Sequence, residues 1–186
     1  TNKVYAISAY APTLEETEKH PEKTEDFYNK LTTITTKCSN RYPLFVGGDF
    51  NARTKLTNED EIEEYKDILG KYTRNEINQN GRYLIEFCKL NNLRLLNTFF
   101  KHKPSQQVTW TSAAKPKNGR QKPYRFQIDY IAFHKTPGAK IIDSKSINSM
   151  RTNSDHKPVV NFIKIHTSNQ KPSHSEKSQN HEALSE

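Results

Sequence analysis

Leu44-Phe45-Val46-Gly47-Gly48-Asp49-Phe50-Asn51-Ala52 is the stretch on which the fold turns. Three apolar residues directly after Pro43 read as a short strand buried in a sheet. They run into two glycines, an acid and an amide. An Asp after paired glycines is commonly a turn former, so alone it says little about function. Two other strand-like runs also carry chemistry-bearing residues: Ile128-Asp129-Tyr130-Ile131 and Ser154-Asp155-His156-Lys157-Pro158-Val159. Each has an ordinary reading by itself, an edge residue in the first and an exposed loop in the second. Together they offer three carboxylates, one amide and one imidazole at strand ends, a set that can converge on one cleft. Hard oxygen donors suit Mg2+ or Mn2+. A His paired with an Asp holds one tautomer and can act on a proton in flight. Splitting a phosphodiester needs such parts: a metal to take charge on the phosphoryl oxygens, a positioned water and a base.

Upstream of this stretch, residues 3–9 read as a strand ending at Tyr10-Ala11-Pro12. Thr13 followed by Glu16 forms a capping-box pattern that opens a helix, and Pro21 interrupts or restarts it. Phe27, Leu31, Ile34 and Cys38 then fall on one helical stripe against a core. Downstream, Ile62, Tyr65 and Leu69 mark an acidic amphipathic helix stopped near Gly70. Asn80-Gly81 punctuates the chain before a helix carrying Leu84, Phe87 and Cys88. Strands are expected at 93–99, 108–111, 124–133, 140–147 and 158–165, with a turn at Asn118-Gly119. From 166 to 186 the chain is Ser, Asn, Gln, Lys, Glu and His with almost nothing apolar, the composition of a disordered polar tail or linker. The mixture of strands and helices gives an α/β or α+β domain over residues 1–165.

The 186 residues are 32% hydrophobic, a low share, yet 9 Phe, 9 Tyr and 1 Trp supply large burial per residue. No apolar run approaches the ~20 residues of a membrane span, and Thr1-Asn2-Lys3 lacks the layout of a signal peptide. No membrane partner is expected. Cys38 and Cys88 stand at no metal-like spacing, which excludes a disulfide scaffold and a Cys-based zinc site and fits a reducing, intracellular setting, nuclear or cytoplasmic. The formal charge of +8 is uneven. Between positions 101 and 135, eight Lys and Arg stand against one acid, Asp129, and Trp110 and Tyr124 lie among them. Lys and Arg neutralise phosphates with release of counterions, and flat rings pack on bases or sugars. A solvated loop of a basic protein is the alternative.

The order Tyr10-Ala11-Pro12, Gly48-Asp49-Phe50-Asn51, Thr109-Trp110, Ile128-Asp129-Tyr130 and Ser154-Asp155-His156 resembles the endonuclease/exonuclease/phosphatase superfamily, which includes the DNase-I-like and apurinic-endonuclease-like enzymes. The wording around these motifs looks most like the endonuclease domain of RTE-type non-LTR retrotransposons. The resemblance implies a two-sheet sandwich flanked by helices and a Mg2+- or Mn2+-dependent endonuclease that nicks DNA. The 3′-hydroxyl left behind would prime a reverse transcriptase domain of the same polyprotein. It implies that Asp49 orients or deprotonates the attacking water, that Asn51 holds the scissile phosphate and that Tyr10 hydrogen-bonds it. Asp129 would pair with the imidazole of His156, and His156 would contact the phosphate or assist proton transfer. Asp155 and Asp49 would stand at the metal. Arg53, Lys115, Lys117, Arg120, Lys122 and Arg125 would contact DNA phosphates. Trp110 would sit on a DNA-facing edge, or else serve as a core Trp on a strand.

In that family, opening strands precede the Tyr-Ala-Pro segment and carry an Asn and a metal-binding Glu. This sequence starts just before Tyr10, so the expectation is an N-terminally incomplete domain with weak Mg2+ binding and impaired catalysis. Two other readings stand beside the nuclease. One is a non-catalytic nucleic-acid or protein-interaction module derived from such a domain. The other is a phosphatase of the same superfamily.

Overall fold

In the computed structural model, residues 3–39, 41–112, 122–134, 139–149 and 153–165 are described. The expected tail at 166–186 and the Asn118-Gly119 turn lie outside them. Strand β1 (Tyr5–Tyr10) lies parallel to β2 (Leu44–Asp49). Strand β6 (Asp129–His134) runs antiparallel to β2, and the short β3 (Leu93–Leu95) antiparallel to β6. The sheet order is therefore β1-β2-β6-β3. Two smaller antiparallel pairs accompany it: β4 (Trp110–Thr111) with β5 (Arg125–Phe126), and β7 (Ala139–Ser146) with β8 (Val159–Ile165).

The side-chain period of two sends Ile7, Ala9, Leu44, Val46, Tyr130, Ala132, Leu93 and Leu95 to one face, where they form one core with Leu31, Leu84 and Phe87 from helices α2 (Pro21–Thr36) and α4 (Gln79–Leu90). Helix α1 (Leu14–Lys19) opens on the capping box: Thr13 accepts from the Glu16 amide at 3.2 Å and the Glu16 carboxylate accepts from the Thr13 amide at 2.8 Å. Pro21 then starts α2, where a missing N–H costs nothing.

Of the expected stripe on α2, Leu31 is buried and Phe27 and Cys38 pack partly buried against the core, but Ile34 is 49% exposed, and the fully buried face, Thr24, Tyr28, Leu31 and Thr35, is rotated from that stripe. The rotation puts the Tyr28 ring 5.5 Å from Phe87 and stacked 6.0 Å from Tyr83. It is tolerated because the threonine hydroxyls find partners, Thr24 with Thr17 at 2.9 Å and Thr35 with Asn91 at 2.8 Å. Helix α3 (Glu59–Glu64) is shorter than expected, since Leu69 leaves it to pair with Leu95. The expected strand at 93–99 gives way after Leu95 to a 3-10 turn, Leu96–Thr98. There the Asn97 side chain replaces a strand backbone, donating to the Asp129 carbonyl at 3.0 Å and accepting from the Ile131 amide at 3.3 Å. The expected strand at 124–133 is two strands, broken where Gln127 turns fully inward. Asn80-Gly81 lies inside the first turn of α4 instead of before it. Among the described residues, no helix is long and apolar enough to cross a membrane.

The parallel pairing of β1 and β2 sets Ala9 beside Gly48 so closely that a Cβ at position 48 would lie 1.8 Å from the Ala9 carbonyl oxygen. At Gly47 the nearest atom would be an Ile131 side-chain carbon at 3.5 Å, an ordinary contact. Gly48→Ala should therefore cost about 3 kcal/mol or more, and Gly47→Ala should stay within roughly 1 kcal/mol of the parent. Denaturant melts of the two variants check this.

Candidate active site

The strand register builds the site. Tyr10 on β1 pairs with Asp49 on β2, and Asp49 pairs with Asp129 on β6. One phenol and two carboxylates thus form a row across the end of the sheet. The chain turns at Asn51, which takes the left-handed conformation (φ 49°), one that Asn tolerates better than most residues. Its amide donates to the Asp49 carboxylate at 2.8 Å, and its side chain donates to the Ala11 carbonyl at 3.0 Å. Across the row, the buried Thr109 hydroxyl accepts from the Ile128 and Asp129 amides, both at 3.0 Å, and fixes where Asp129 enters its strand.

His156 comes from a different part of the chain. The Lys157 amide donates to the Thr109 carbonyl at 2.7 Å and the Thr111 amide to the Asp155 carbonyl at 3.0 Å, so Trp110 and His156 face each other as an antiparallel bridge. This delivers His156 Nδ1 to 3.1 Å from both Asp129 oxygens and Nε2 to 3.9 Å from an Asp49 oxygen. One ligand atom each from Asp49, Asp129 and His156 lie within 4.8 Å of one another. The two carboxylates offer the oxygen donors that a hard divalent cation takes, with the imidazole beside them. Asp155 does not join them: its carboxylate accepts from the Trp110 indole N–H at 2.7 Å.

Asp49, Asn51 and His156 line a cleft of about 480 Å3, together with Arg53, Asn78, Phe126 and Ile128. Tyr10 stands at its mouth, 70% exposed. Trp110 belongs to the cleft wall, not the core. It stacks on Phe126 at 5.6 Å, and Phe126 lies 6.0 Å from the exposed Tyr124. The Arg53 guanidinium sits over Phe126 at 5.4 Å. Lys122 and Arg125 are exposed in the adjoining sequence, Arg125 on the face of β5 opposite Phe126. Lys115, Lys117 and Arg120 lie outside the described residues. Sequence reasoning passed over Phe126, Asn78 and the role of Thr109. The one local signal was Asn78 three residues before Gly81, the spacing of a helix cap.

Burial raises the Asp49 carboxyl above its ordinary value of 3.8; the Asn51 amide and His156 pull it down and Asp155 pushes it up. Burial also raises Asp129, against the Thr109 and His156 interactions, with Asp49 pushing in the same direction as burial. A carboxyl whose folded value is raised binds its proton more tightly in the folded state. Its contribution to stability is present at low pH and is lost as pH rises from the unfolded value through the folded one. Asp49→Asn, which keeps the acceptor for the Asn51 amide, should therefore raise the melting temperature at pH 7. The gain should shrink as pH falls toward 4, measured by thermal melts across that range.

The sequence matches the endonuclease-reverse transcriptase family over residues 4–160. Craniofacial development protein 2 of Bos taurus is 32% identical over 154 residues, which cover 83% of this chain and 23% of the relative. Its counterpart in Tragulus javanicus is 30% identical, covering 83% and 24%. The chain thus spans about a quarter of the length of these curated relatives. Among solved structures, the catalytic domain of Xenopus laevis APE2 superposes with a TM-score of 0.55 at 21% identity, over 87% of this chain and 49% of that one. An endonuclease/exonuclease/phosphatase family protein from Leptotrichia buccalis gives 0.51 at 18% identity, over 88% and 50%. Both likenesses are of fold and show the DNase-I-like α/β architecture. With the family match running through every motif of the cleft, the chain belongs to the endonuclease-reverse transcriptase family, within the endonuclease/exonuclease/phosphatase superfamily.

Proposed function

We propose that this domain is a divalent-cation-dependent endonuclease that nicks DNA and leaves a 3′-hydroxyl, the end from which the reverse transcriptase domain of a retrotransposon polyprotein primes. The observation that carries this reading is the meeting of Asp49, Asp129 and His156 at one end of the sheet. Asp49 is the base that orients and deprotonates the attacking water. Asp129 accepts from the His156 Nδ1–H and so turns Nε2 toward the cleft as a proton acceptor; only the doubly protonated ring donates from Nε2 to a phosphoryl oxygen. Asn51 and Tyr10 flank the phosphate. Mg2+ or Mn2+ bound by Asp49 and its neighbours would take up charge developing on the phosphoryl oxygens.

The aromatic edge favours polynucleotide over a soluble phosphate ester. Trp110, Phe126 and Tyr124 form a run of rings leading away from His156, with the Arg53 guanidinium over Phe126, the pairing of stacking surface and cation that takes bases and backbone together; Lys122 and Arg125, exposed nearby in the sequence, add basic charge. Lys115, Lys117 and Arg120 extend the same basic segment in the sequence.

In a plasmid-nicking assay with Mg2+ or Mn2+, the parent chain should convert supercoiled DNA to open circles. Asp49→Ala and His156→Ala should each lower the rate at least ~100-fold. Salt-sensitive DNA binding without nicking would instead assign a non-catalytic module. Turnover of a soluble ester with none on duplex DNA would assign a phosphatase.

A further inference from the structure

We propose that Asn78 is a positioning residue for this site, the side chain that locks the Asn51–Arg53 turn onto the rigid helix α4; the catalytic part of this inference rests on the nuclease reading above. The Asn78 amide makes three bonds. Its oxygen accepts from the Gly81 amide at 2.9 Å, as the cap of α4, and from the Arg53 amide at 2.8 Å. Its nitrogen donates to the Asn51 carbonyl at 3.1 Å. The Asn78 backbone amide also donates to the Arg53 carbonyl at 3.2 Å. One side chain thus holds both ends of the turn that carries Asn51 while starting the helix behind it.

The helix is a firm support. Leu84, Ile85, Phe87 and Cys88 are buried in the core, and at Gly81 a Cβ would come within 2.0 Å of the Arg53 carbonyl oxygen, so the first turn of α4 sits directly on the Arg53 peptide. The attachment continues along the chain: the Ile77 amide donates to the Lys55 carbonyl at 3.0 Å and the Lys55 amide to the Asn75 carbonyl at 3.2 Å. Asn75 reaches the other way, donating from its side chain to the Arg125 carbonyl at 3.2 Å and accepting from the Gln127 amide at 3.3 Å. Residues 75–78 therefore strap together the two segments that lead to the Asp49 and Asp129 carboxylates. What Asn78 itself contributes is the pose of Asn51, and through the Asn51 amide the orientation of the Asp49 carboxylate.

Asn is the residue this geometry requires. Serine keeps a helix cap of similar quality but cannot span to both Asn51 and Arg53. Aspartate keeps both accepted bonds and loses only the donated one. The test follows amide hydrogen exchange, melting temperature and nicking kinetics in Asn78→Ser and Asn78→Asp. In Asn78→Ser the melting temperature should stay close to the parent while the Asn51 and Arg53 amides exchange roughly tenfold faster. The nicking kcat should fall by about tenfold with KM little changed, since the loss falls on alignment and not on substrate contact. In Asn78→Asp the Arg53 amide should stay protected while exchange at Asn51 rises. Unchanged exchange at both amides in Asn78→Ser would overturn the proposal. So would a kcat equal to the parent's in an active chain. If the parent chain does not nick, the nuclease reading fails, and the exchange measurement still decides whether Asn78 holds the turn.

Discussion

Two half-buried carboxylates facing each other on neighbouring strands are the constraint around which the rest of the structure is arranged. Asp49 and Asp129 are partners in the β2–β6 register, and each is made harder to ionise by burial first and then by a neighbouring carboxylate, Asp155 for Asp49 and Asp49 for Asp129. Left alone, such a pair would strain the sheet end. The surrounding groups answer the problem: the Asn51 amide donates to Asp49, the His156 ring pairs with Asp129, and the Thr109 hydroxyl accepts the Asp129 amide at the entry to β6. Each of these groups comes from a different segment. The chemistry of the site is thus tied to the correct meeting of β2, β6, the 108–111 stretch and the 154–157 stretch.

Much of this was legible in the sequence because it is local. The capping box at Thr13 and Glu16, the restart at Pro21 and the apolar run into Gly47-Gly48-Asp49 are all short-range patterns, and each has a counterpart in the fold. What sequence reading missed depends on distant partners. The face of α2 turned because Thr24 and Thr35 could be buried at the expense of Ile34. A hydrophobic count cannot foresee that, since it does not know that Thr17 and Asn91 stand ready to pair with those hydroxyls. The break at Gln127 was hidden for the same reason: its side chain is satisfied by the Arg74 amide and the Asn97 carbonyl, both far away in sequence. Asn78 was passed over because the bonds that matter at the site go to residues 51 and 53.

Charge is divided across the molecule. The acids of α1 to α3 are largely paired on the helical side, as in Glu15 with Lys19, Glu61 with Arg82 and Glu64 with Lys89. The Arg53 side chain at the cleft and the exposed Arg125 on β5 have no acidic partner among the described residues; Arg53 lies on a ring. Exposed pairs such as those on the helices add little stability. They do cancel the negative field on that side, leaving the aromatic edge as the positively charged approach to the carboxylates.

His156 does not belong to the sheet that holds the two acids. It is carried on the ribbon that faces Trp110, and its place depends on that bridge and on the bond to Asp129. The four-stranded sheet and its helices own the buried core; the ribbon does not. Warming should therefore part the imidazole from its carboxylate while the core is still intact, so that inactivation runs ahead of global unfolding.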